Sequence, residues 1–116
     1  MNAPKIQTAV PLRRYRLGAY TAVVLGEIES SDGIEYRYIL ALVREGEARP
    51  RVYVTAEKNP RARAREGAHR MRVIAEALEE DRGSSDRWGD PDVFAAEGLS
   101  LVAGMLGLAE QAQRLM

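Results

Sequence analysis

Hydrophobic and polar residues alternate most regularly over residues 34–55. Ile34, Tyr36, Tyr38, Leu40 and Leu42 occupy even positions, so they share one face of an extended strand. The odd positions begin with Glu35 and Arg37 and turn apolar at Ile39, Ala41 and Val43. This pattern predicts a strand buried along one face and, toward its end, on both. After a turn at Gly46 to Pro50, alternation resumes over residues 51–57, with Val52, Val54 and Ala56 on one side and Arg51, Tyr53 and Thr55 on the other.

Two strands are expected upstream. Residues 12–17 put Arg13, Tyr15 and Leu17 on one face, with Arg14 and Arg16 opposite. Residues 19–29 are apolar on both faces at their centre: Tyr20, Ala22, Val24 and Ile28 on one, Thr21, Val23 and Leu25 on the other. That is the pattern of an interior strand covered on both sides. Gly18 separates the two strands or marks a bulge in a single long one. Asp32-Gly33 forms the next tight turn, where positive φ is needed. Residues 1–11, with Pro4 and Pro11, read as a loose arm or an edge strand.

Past residue 58 the pattern reads as helical. Asn59-Pro60 has the form of a cap followed by proline at the first helical position. A stripe of Ala64, Ala68, Met71, Ile74, Ala75 and Leu78 then predicts a helix over residues 59–82, ended by Gly83. Asp90-Pro91 repeats the signature and predicts a second helix over residues 90–115. Its seven-residue recurrence of Phe94, Leu101, Leu108 and Leu115, and a second stripe of Leu99, Val102 and Leu106, give it two apolar sides. The expected fold is therefore α+β: a four-stranded antiparallel meander followed by two C-terminal helices packed on the sheet, in one domain. The order of four antiparallel strands and then a helix, over residues 12–82, is similar to the whirly type of single-stranded-DNA-binding regulator domain. That resemblance implies dimeric pairing and adds to a nucleic-acid reading.

Composition narrows the chemistry. The chain has 116 residues and no cysteine, which excludes disulfides and thiolate sites. The N-terminal residues lack a signal-peptide pattern, and the expectation is a soluble cytoplasmic protein. The second helix's apolar run contains Glu97 and falls short of the ~20 residues a membrane span needs. Net charge is zero, but residues 1–75 carry 14 basic against 8 acidic side chains, and the remainder 3 against 9. No cofactor or metal is implied: the glycines of the second helix do not follow a strand, and His69 is the only histidine. His69 reads as an exposed or packed helix residue, Glu76, Glu79 and Glu80 as a solvated acidic end, and Trp88 as a loop anchor.

Three readings of function follow. The first is a non-enzymatic homodimeric interaction module, which uses Leu99, Val102, Gly104, Met105 and Leu106 as the dimer or helix-packing surface. A protein partner could cover the same surface. The second is single-stranded nucleic-acid or anion binding through Arg61, Arg63, Arg65, Arg70 and Arg72, with Arg14, Arg16 and Arg37 on the sheet. A near-neutral pI weighs against this one. The third is a small-molecule binder or enzyme with a pocket between sheet and helices; no catalytic constellation is present to support it.

Overall fold

The computed structural model describes residues 1–109 and 111–116. One antiparallel sheet holds seven strands: β1 (Ile6–Leu17), β2 (Tyr20–Ser30), β3 (Tyr36–Arg44), β4 (Val52–Lys58), β5 (His69–Ala75), β6 (Leu78–Ser85) and β7 (Gln113–Arg114). Their order is β6-β5-β4-β3-β2-β1-β7. Six consecutive strands thus form a meander, and the C-terminal segment returns to the outer edge of β1. Among the described residues one α-helix, α1 (Pro91–Leu106), packs on one face.

Two sequence expectations are corrected here. The helix over residues 59–82 does not exist. Asn59-Pro60 starts only a 3₁₀ turn, Arg61–Glu66, which ends at Gly67. Residues 69–85 are instead the β5–β6 hairpin. Alternation was present beneath the helical stripe: Met71 and Val73 enter the helix-side core, while Arg70, Arg72 and Ile74 face the other way. Their strand partners on β4 supply backbone hydrogen bonds and a buried surface, and this outweighs a weak local helix preference. The connecting turn at Glu76-Ala77 contains no glycine, asparagine or proline, so the hairpin lacks a turn signature. The likeness to whirly-type domains rested on that helix and goes with it. The second helix stops at Leu106, nine residues short of expectation, because Gly107 takes a left-handed conformation (φ 67°) and caps it. Position 110, within the expected helix, lies outside the described residues.

The core lies between sheet and helix. Leu40, Leu42, Val54, Ala56, Met71 and Val73 from the sheet meet Phe94, Ala95, Leu99 and Val102 of α1. Gly98 lets the helix sit close, since a Cβ there would come within 2.9 Å of Leu40 Cδ2. Asp90 starts the helix by accepting from the backbone N–H groups of Asp92 and Val93. Trp88 is buried at the entrance and donates its Nε1–H to Glu97 at 2.7 Å.

The opposite face carries no helix among the described residues, yet Ile39, Thr55, Glu57 and Ile74 on it are buried. Coiling of the sheet explains this. In a flat sheet β1 and β6 would lie about 24 Å apart, at ~4.8 Å per strand. Asn2, just ahead of β1, nevertheless places its Nδ2 3.5 Å from Glu79 Oε2 on β6. Three register shifts in the β1–β2 ladder and a left-handed Glu27 (φ 47°) bend this long hairpin. A further shift around Arg37 moves Tyr36 opposite Glu57, onto the far face. Strict alternation had placed Tyr36 beside Tyr38 and Leu40. No helix among the described residues is long and apolar enough to cross a membrane.

Candidate anion-binding groove

β4 ends in Glu57-Lys58, Asn59 follows it, and the chain then leaves the sheet in the 3₁₀ turn and re-enters at His69. This excursion and the turn ahead of β3 enclose a groove of ≈ 840 Å³. Such a volume suits one small ligand. Four cationic side chains line it: Lys58, Arg61, Arg63 and Arg70. Glu35 and Glu57 are the lining carboxylates, and Ile34, Pro60, Ala64 and Ala68 supply apolar surface.

The carboxylates are already engaged. Glu57 is buried; its Oε2 accepts from Thr55 Oγ1 at 2.6 Å and from Arg72 Nε at 2.5 Å. Its Oε1 accepts from Arg70 Nε and Nη2 at 3.2 and 3.1 Å. Arg72 continues the network to Glu79, and Arg70 lies 3.6 Å from Asp81. Burial works against the charge on Arg72, but Glu57 and Glu79 outweigh it and hold the guanidinium protonated. Glu35 lies 3.7 Å from Lys58 in a solvent-exposed pair. Arg63 meets only Glu66, at 3.5 Å, and Arg61 forms no ion pair among the described residues.

Two lining residues keep unpaired polar atoms. Asn59 is 6% exposed; its Nδ2 donates to Gly67 O and Ser84 Oγ, while its Oδ1 has no partner among the described residues. His69 Nδ1 is likewise buried without a partner. Burial, and then the charge of Arg37, hold the His69 imidazole below its ordinary pKa, so it adds no positive charge near neutral pH.

The arginines singled out from the sequence therefore divide. Arg61, Arg63 and Arg70 line the groove. Arg65 is exposed on the same 3₁₀ turn but outside the lining, and Arg72 is committed to the buried network. Arg14 and Arg16 stand on β1, across the sheet, where Arg16 reaches Glu45 at 3.6 Å. Arg37 lies over the Tyr38 ring at 5.0 Å. On α1, Leu99 and Val102 are buried against the sheet, Leu106 is half-buried, and Gly104 and Met105 are exposed. Glu57, Lys58, Asn59 and His69 were not foreseen as site residues. For Glu57, Lys58 and Asn59 the signal was three successive polar residues at and just beyond the end of a strand that is otherwise apolar on one face; His69 carried none.

The chain matches no protein-family model, and no curated protein or solved structure is significantly similar to it.

Proposed function

We propose that the protein is a non-enzymatic binding module that holds an anionic ligand in the groove at the end of β4. One observation carries this reading: the cations lining the groove exceed the carboxylates, and Arg61 has no carboxylate partner among the described residues. Unneutralised guanidinium groups beside low-dielectric protein surface favour an incoming carboxylate or phosphate. Binding is favoured over catalysis because Glu57 is clamped by two arginines and a threonine, and so is poorly disposed to act as a base. The described lining residues include no hydroxyl or thiol nucleophile.

Calorimetric titration with phosphate-bearing probes tests the reading. The double variant Arg61→Gln/Arg63→Gln should bind at least tenfold more weakly with an unchanged melting temperature, because both side chains are exposed. Unchanged affinity in that variant would overturn the assignment. A labelled single-stranded oligonucleotide serves as the contrasting probe. Binding to it with a salt dependence of several phosphates would favour nucleic acid over a small ligand.

A further inference from the structure

The lining of the groove restricts the ligand more narrowly than charge alone. We infer that the ligand is an amphipathic anion, with a single carboxylate or phosphate held by Arg61 and Arg63 and an apolar body lying on Ile34, Pro60, Ala64 and Ala68. The inference rests on the anion-binding reading above and deepens it.

Three observations carry it. First, the four apolar residues come from separate segments: the turn before β3, the chain just after β4, the 3₁₀ turn and the approach to β5. Their convergence is a property of the fold and not of one apolar run. Pro60, Ala64 and Ala68 are exposed and Ile34 is half-buried, so apolar surface is available to a ligand. Secondly, the cations are unequal. Arg70 is shared between Glu57 and Asp81, and Lys58 faces Glu35, whereas Arg61 has no carboxylate among the described residues and Arg63 has only the exposed Glu66. The available positive charge is therefore concentrated on one turn and matches one anionic group. Thirdly, the other lining cations are already paired, Lys58 with Glu35 and Arg70 with Glu57 and Asp81, so a second anionic group on the ligand would meet no unpaired cation among the described residues. A polyphosphate is disfavoured on this ground, and an alkyl or aryl chain is the natural continuation.

Octyl phosphate, kept below its micelle concentration, inorganic phosphate and tripolyphosphate form the probe set for calorimetry on the full chain. A buried methylene is worth roughly fourfold in affinity, so burying three or four should make octyl phosphate about a hundredfold tighter than inorganic phosphate. Ile34→Asn should reduce octyl phosphate binding by about tenfold and leave inorganic phosphate unchanged. Ala64→Asn, on the exposed turn, provides the same comparison if Ile34→Asn is unstable. Arg61→Gln/Arg63→Gln should weaken both ligands. Octyl and inorganic phosphate binding within twofold of each other, or tripolyphosphate binding tightest, would overturn the amphipathic class while leaving an anion site standing. Binding of none of the three would overturn the anion-binding reading and this inference together.

Discussion

Asp32 shows how one side chain can organise a turn. Its carboxylate accepts from the Tyr36 hydroxyl at 2.7 Å and from the backbone N–H groups of Lys5 and Ile34. Burial alone would raise its pKa, but these donors outweigh burial and bring it down to about 2. A depressed carboxylate stabilises the fold above its unfolded pKa, and that stability is lost as pH falls through the folded value. Asp32→Asn should therefore flatten the acid limb of stability between pH 4 and 2, measured by denaturant unfolding. His69 acts in another window with the same sign. Burial, Arg37 and Lys58 depress its pKa while Asp86 opposes them, so the unfolded chain takes up the proton more readily. Stability should fall as pH drops below about 6.5, and His69→Gln should remove that slope. Gly67 is constrained in both backbone conformation and space. At φ 140° and ψ 160° it occupies a region essentially reserved for glycine, and a Cβ would lie 2.5 Å from Ser85 N. Gly67→Ala should cost at least ~1–3 kcal/mol from backbone strain and displace the 3₁₀ turn; equilibrium unfolding and groove titration read the two effects.

At the scale of elements, β4 and β5 are joined by charge as well as by backbone. Glu57 and Arg72 are both buried and bonded, with Arg70 and Glu79 completing the network. Removing one member leaves the other uncompensated: Glu57→Ala should destabilise the protein by about 3–5 kcal/mol. Glu57→Met/Arg72→Met should cost less than Glu57→Ala, since neither charge then remains buried alone. Urea denaturation of the single and double variants measures the difference. An equal loss in both would mean that packing, not charge, governs the site. The same network orients Arg70 at the groove wall, so the element that stabilises the sheet also shapes the candidate site.

At the scale of the whole molecule, an open meander must protect its edges. The β1 edge carries Pro11, which cannot donate to a new strand, and its far end is covered by the C-terminal segment, with Leu115 N donating to Arg14 O at 2.7 Å. The β6 edge is exposed and charged, with Glu79, Glu80, Asp81 and Arg82 in succession. Glu80→Val/Arg82→Val leaves the Arg72–Glu79 contact intact but removes two of those four charges. The variant should self-associate, seen as a rise in light-scattering mass with concentration. An unchanged mass would show that coiling of the sheet protects β6 without help from its charges.

Residues 20–58 were legible as strands because three neighbouring segments there alternate strongly and are bounded by Asp32-Gly33 and by the Gly46–Pro50 turn. The capped start of α1 at Asp90-Pro91 was equally plain, since capping is a local interaction between a side chain and the next few N–H groups. The arginine-rich turn was visible as a cluster, but three of the eight arginines singled out, Arg61, Arg63 and Arg70, line the groove. Tertiary structure decided the rest. Residues 69–75 satisfy both a helical stripe and a strand alternation, and only β4, with its hydrogen bonds and the partners of Glu57, selects the strand. The bulge at Arg37 turned Tyr36 to the far face, a shift that alternation cannot anticipate because it depends on pairing with β4. The groove itself is assembled from the turn before β3, the end of β4 and the start of β5. Pairing between strands, which depends on surfaces distant in the chain, brings them together; local preference alone does not.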